Sequence, residues 1–114
     1  MKKIRNIVTY RDYFTDFLRL QPPKLQDKIM KVMEIIETVE RIPERYFKHI
    51  QNGLFEIRVQ LGSDNFRVFC FFDAGKLIIL LTGFQKKTEK TPPREIERAM
   101  KLMKEYYKEK EDKK

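Results

Sequence analysis

The order of local patterns along the chain predicts an α+β domain, β-α-α-β-β-β-α, with a mostly antiparallel sheet, an α-hairpin on one face and a C-terminal helix. Three observations carry this. Apolar residues recur every three or four positions at Tyr13, Phe14, Phe17 and Leu18, at Leu25, Ile29, Val32, Met33, Ile36 and Val39, and at Ile96, Ala99, Met100, Met103 and Tyr107, the spacing of a helix face. Between the second and third stripes, residues 54–61, 66–72 and 77–84 are strand-length runs rich in Phe, Val and Ile. Gly62-Ser63-Asp64-Asn65 and Asp73-Ala74-Gly75-Lys76 separate those runs, and such short turn sequences join neighbouring strands as antiparallel hairpins.

Each element then follows in order. Ile4-Arg5-Asn6-Ile7-Val8-Thr9-Tyr10 reads as the first strand. The first helix starts after Asp12 and ends at Gln21-Pro22-Pro23, where the same prolines open the second, because proline fits a helix's first turn. That second helix stops before Pro43, and two helices so closely joined form an antiparallel pair. After the meander comes the polar loop Lys86-Lys87-Thr88-Glu89-Lys90, then Thr91 as N-cap with Pro92 in the first turn of the last helix. Residues 1–107 make one domain, and the all-charged residues 108–114 are expected to be a disordered tail.

Composition bounds the function. With 114 residues there is room for one core, and 41% hydrophobic content, including nine Phe, is enough for a folded chain. One Cys excludes a disulfide framework, Met1-Lys2-Lys3-Ile4-Arg5 lacks the apolar run of a signal peptide, and the stretch from Phe66 to Phe84 is broken by Arg67, Asp73, Gly75 and Lys76. A cytoplasmic protein without a membrane partner is the expectation. The net charge of +8 points to a polyanion. It is uneven: residues 1–52 carry +4, residues 53–84 are neutral, and residues 85–107 carry +3.

Strand alternation sharpens this. Phe55, Ile57, Val59 and Leu61 share one face and Glu56, Arg58 and Gln60 the other; Phe66, Val68, Cys70 and Phe72 oppose Arg67, Phe69 and Phe71. Pairing Leu61 with Phe66 and Gln60 with Arg67 would set Arg58 opposite Phe69 and diagonal to Arg67, roughly 7–8 Å away. Two guanidiniums could then fork onto a phosphate while a base stacks on Phe69. The competing reading is that each arginine pairs locally, Arg58 with Glu56 and Arg67 with Asp64 or Asp73. One His and one Cys cannot make a closed metal site, no glycine-rich phosphate loop is present, and no cofactor is expected. His49 reads as a loop residue, Cys70 as a small hydrophobe, and Lys86-Lys87 after the last strand as either a solvated pair or an anion contact.

Leu54-Phe55-Glu56-Ile57-Arg58-Val59, Phe66-Arg67-Val68-Phe69 and Leu81-Thr82-Gly83-Phe84-Gln85-Lys86-Lys87-Thr88-Glu89-Lys90-Thr91-Pro92-Pro93-Arg94-Glu95-Ile96 together resemble the phage-derived HigB-like branch of the RelE/ParE toxin superfamily. The resemblance implies a metal-independent endoribonuclease that cleaves messenger RNA in the ribosomal 30S A site by 2′-hydroxyl attack, held in check by a cognate, HigA-like helix-turn-helix antitoxin. It further implies catalytic roles for Arg58, Arg67 and Lys86, with Lys87 as their neighbour; Lys87, Phe69, Lys90 and His49 are the expected RNA contacts. Where many RelE-like toxins carry a C-terminal tyrosine or histidine, this chain reads Thr91-Pro92-Pro93 and continues as a helix, so the general acid and base stay unassigned. Two other readings stand beside it: a non-enzymatic ParE-like inhibitor of DNA gyrase, and a degenerate antitoxin-binding module.

Overall fold

A computed structural model describes residues 2–113; Met1 of the expected domain and Lys114 of the expected tail lie outside the described residues. The elements are β1 (Asn6–Thr9), α1 (Tyr13–Arg19), α2 (Pro23–Thr38), β2 (Phe47–Gln51), β3 (Leu54–Leu61), β4 (Asp64–Asp73), β5 (Leu77–Lys86) and α3 (Pro93–Asp112). They form one five-stranded sheet in the order β1-β5-β4-β3-β2. β1 runs parallel to β5 and the other neighbours are antiparallel, so the expected α+β architecture is present.

One strand was not expected. Phe47–Gln51 pairs with β3 across Asn52 and Gly53, both at positive φ (44° and 83°). That combination makes the tight hairpin turn whose twist matches the strands it joins.

Helices pack on both sides. α1 and α2 cover the face built by Ile57, Val59, Phe66, Val68, Cys70, Ile78 and Leu80. α3 lays Ala99, Leu102 and Met103 against Leu54, Phe69, Phe71, Ile79 and Leu81 on the other. The prolines open helices as expected for α2, where Pro22 is the N-cap and Pro23 the first helical residue. In α3 the start falls one residue later than expected, with Pro92 as N-cap, Pro93 inside and Thr91 outside the helix. Arg5 closes the end of α2: its guanidinium donates to the carbonyls of Ile36, Val39 and Glu40 at 3.0, 2.6 and 2.7 Å, satisfying orphan acceptors at the negative end of the helix.

The charged segment expected as a disordered tail is instead helical through Asp112. It is pinned by contacts that only the tertiary fold supplies. Glu109 accepts hydrogen bonds from Tyr10 and Arg11, and Lys110 reaches both oxygens of Asp73 at 2.8 and 2.9 Å.

Candidate nucleic-acid interface

α3 crosses only one end of its sheet face. At the other end Arg58 stands directly opposite Arg67, and Phe84 continues the same row on β5. The expected pairing of Leu61 with Phe66 is corrected: Leu61 pairs with Asp64, because Gly62 and Ser63 alone make the turn, with Gly62 at φ +61°. The arginines are therefore direct partners rather than diagonal ones.

Lys86 joins them through an irregularity. Val68 pairs with Gly83 but Cys70 pairs with Leu80, so β5 spends three steps where β4 spends two. This bulge inverts the alternation beyond it. Ile79 and Leu81 face α3 before the bulge; Phe84 faces the same way after it, and Lys86, opposite Asn65, follows. Without the extra residue Lys86 would lie under the α-hairpin.

The face is strongly coupled. Glu56 is 3% exposed and its Oε2 lies 3.4 Å from the Nε of both Arg58 and Arg67. Arg67 is 5% exposed, and its Nη1 donates to the Phe66 carbonyl at 3.0 Å. Among the described residues, Glu56 Oε1 and Arg67 Nε have no hydrogen-bond partner. Burial draws the Arg67 guanidinium below the usual arginine range, with Glu56 opposing the shift and Arg58 adding to it. Burial also lowers the half-buried Lys86 ammonium, and the positive charge of Arg67 adds to that effect. A cavity of about 190 Å³ opens between Arg45, Arg58, Gln60, Asn65 and Arg67. Beyond the hairpin end, Ser63, Asn65, Lys86 and Lys87 line a second of about 430 Å³.

Of the seven residues the sequence pointed to, Arg58, Arg67, Lys86 and Lys87 are brought together. Lys90 is exposed in the loop before α3, where its carbonyl accepts a 2.7 Å bond from the Thr88 hydroxyl. Two assignments are corrected. Phe69 is fully buried beneath α3 and packs on Phe84 with centroids 5.4 Å apart, so no base can stack on it; Phe84 is the half-buried aromatic at this rim. His49 pairs with Phe55 and meets its ring edge-on at 5.1 Å, which sets it on the opposite sheet face from the arginines. Three neighbours went unnoticed as site residues. Arg45 stacks on Tyr46 with 4.8 Å to the ring centre, Lys48 stands opposite Glu56 on β2, and Glu56 itself lies between the arginines. Arg45 sits in a basic-aromatic run, the available signal; Lys48 needed β2 to be seen first.

The basic end of the sheet thus combines two guanidiniums, a lysine of lowered basicity and open cavities, a set suited to an anionic ligand. Among the described residues no helix is long and apolar enough to cross a membrane. No curated protein matches the chain. Comparison with family models matches residues 16–104 to the family described as phage derived protein Gp49-like (DUF891), from within α1 to within α3. By that match, which spans well over half its length, the chain belongs to the Gp49-like phage-derived family, a RelE/toxin-like family.

Proposed function

We propose that the protein is the toxin of a type II toxin–antitoxin pair of the HigB-like branch. In this reading it is a ribosome-dependent endoribonuclease that cuts messenger RNA in the A site and is neutralised by a cognate, HigA-like helix-turn-helix antitoxin. The observation that carries the reading is the convergence of Arg58, Arg67 and Lys86 on one open end of the sheet, two by direct pairing and the third by a bulge. Membership of the Gp49-like family supports it at the level of a toxin-like protein.

The chemistry in this reading is the 2′-hydroxyl attack that the resemblance implies, with its roles taken by residues of this site. The ribose 2′-oxygen attacks the adjacent phosphorus, the bond from phosphorus to O5′ breaks, and the products are a 2′,3′-cyclic phosphate and a 5′-hydroxyl. The 2′-hydroxyl proton passes to neutral Lys86, whose lowered basicity raises the share of that form at physiological pH; the leaving O5′ takes a proton from solvent. Arg58 and Arg67 stabilise the extra negative charge on the phosphoryl oxygens in the transition state. The need for a 2′-hydroxyl makes RNA, not DNA, the substrate. Arg45, which lines the cavity with the two arginines, and Lys87, which lines the other with Lys86, serve in this reading as contacts to flanking phosphates, so binding weakens as salt rises.

The test adds purified protein to a cell-free translation system and maps messenger 5′ ends with and without ribosomes. New ends appearing at A-site codons only when ribosomes are present are the expected result. Intact messenger alongside inhibited DNA supercoiling would overturn it in favour of a ParE-like gyrase inhibitor.

A further inference from the structure

We propose that Glu56 is a positioning residue for the two arginines: one carboxylate oxygen, in ion-pair contact with the Nε side of both Arg58 and Arg67 and without a hydrogen bond to Arg67 Nε, holds the two guanidiniums together for a phosphate. The inference rests on the reading of this face as the phosphate site. Two like charges paired directly across antiparallel strands repel and splay. Glu56 precedes Arg58 by two residues on the same face of β3 and is diagonal to Arg67, so it reaches both. Its Oε2 is equidistant from the two Nε atoms at 3.4 Å. The contacts fall on the inner edges, and no described residue accepts a hydrogen bond from the Nη atoms of Arg58 or from Nη2 of Arg67. On Arg58 those donors are the pair with which a guanidinium forks onto an oxyanion, while Arg67, whose Nη1 donates to the Phe66 carbonyl, offers Nη2 as a single further donor.

Stability alone does not account for such a residue. A carboxylate 3% exposed, with Oε1 unbonded, is unfavourable by desolvation, and an apolar residue of similar volume is often neutral or better in such a place. Lys48, its partner across β2, is exposed and does not neutralise it in a dry contact. The carboxylate is explained by what it does to the arginines.

Electrostatics gives the test its sign. Removing a negative charge beside an anion site strengthens anion binding if the charge merely repels. If the charge aligns the guanidiniums, the chemical step slows although binding does not weaken. Programmed ribosomes carrying a defined messenger are the substrate, and kcat and KM are measured for wild type and Glu56→Gln, with thermal melting as the control for folding. The expected result is a kcat lower by about tenfold to a hundredfold, the range for misplaced catalytic groups, with KM unchanged or reduced. A Glu56→Gln protein with full kcat overturns the inference. Should that variant not fold, Glu56→Asp answers alone: drawing the charge back by one methylene lowers kcat if Glu56 positions the arginines and leaves kcat at the wild-type level otherwise. The arginine Nε–H resonances supply a readout independent of cleavage. That of Arg58, the more exposed of the two, is expected to be resolved in wild type and to collapse toward the solvent-averaged position in Glu56→Gln, while that of the buried Arg67 changes its shift; unchanged resonances overturn the proposal. If the wild type cleaves no messenger, the nuclease reading fails, and these resonances still decide the role of Glu56.

Discussion

Arg58 and Arg67 are direct cross-strand partners, with the carboxylate of Glu56 held 3.4 Å from the Nε of each. Three groups this close act as a unit, so their removal is not additive. Arg67→Ala is expected to lower messenger cleavage by about 10²–10³, the usual effect of deleting one preorganised transition-state donor. Arg58→Ala is expected to do nearly as much. The double variant should fall well short of the product of the two. Initial rates on programmed ribosomes check this, and strictly multiplicative losses would show that the arginines act at separate places.

Lys86 carries a pH signature. Its ammonium is lowered by burial and by Arg67, and its reactive form as a base is the neutral one. Cleavage should therefore rise with pH through a transition below the ordinary lysine value of 10.5, and Lys86→Arg should abolish both the activity and that transition. The same shift bears on stability with a definite sign. Between the lowered folded pKa and the unfolded one, the unfolded chain binds more protons, so stability rises with pH across that window. At neutral pH the charged Lys86 opposes folding. Lys86→Met is accordingly expected to melt at a higher temperature than wild type while losing cleavage; a lower melting temperature would contradict the burial argument.

How much of this was legible beforehand depends on the period of each signal. The faces of β3 and β4 were readable because a one-residue slip would exchange core and solvent sides. The register was not, because a two-residue slip preserves the faces: opposing Leu61 with Phe66 or with Asp64 satisfies the pattern equally, and only the Gly62-Ser63 turn decides. The bulge in β5 was invisible, since Leu77-Ile78-Ile79-Leu80-Leu81 is apolar on both faces and shows no parity to break. β2 was missed because Phe47-Lys48-His49-Ile50-Gln51 alternates weakly; the Asn52-Gly53 pair was the better signal. The last turns of α3 looked like a tail because their partners, Tyr10, Arg11 and Asp73, are remote in sequence.

Asp73 anchors that helix and should make stability acid-sensitive. Hydrogen bonds from Lys110, and then from Tyr106, hold its carboxyl below the ordinary value of 3.8. A depressed carboxyl contributes stability in full above the unfolded pKa and loses it as pH falls through the folded one. Asp73→Asn is expected to destabilise the protein at pH 7 by about 1.5–3 kcal/mol, the range for hydrogen bonds to a charged group. The difference from wild type should shrink below pH 4. Urea unfolding at pH 7 and pH 3 measures it, and an equal deficit at both values would mean that the loss is one of shape and not of charge.

The bulge also sets the contact between α1 and the sheet. Gly83 faces the α-hairpin, and a Cβ placed on it would come within 2.7 Å of Phe17 ring carbons. Two effects of Gly83→Ala therefore compete. Restricting the unfolded chain favours the alanine by about 0.4–1 kcal/mol. Overpacking against a ring already in place opposes it by about 1–3 kcal/mol, and at that separation Phe17 must shift. The net expectation is destabilisation of about 1–2 kcal/mol. Pairing it with Phe17→Leu, which clears the ring, should recover part of that loss relative to Phe17→Leu alone. A double-variant cycle from urea unfolding reads the coupling directly, and additivity of the two changes would mean that Phe17 does not hold Gly83 in place. Because Gly83 lies between the bulge and Lys86, cleavage by Gly83→Ala should fall even under conditions where the variant is fully folded.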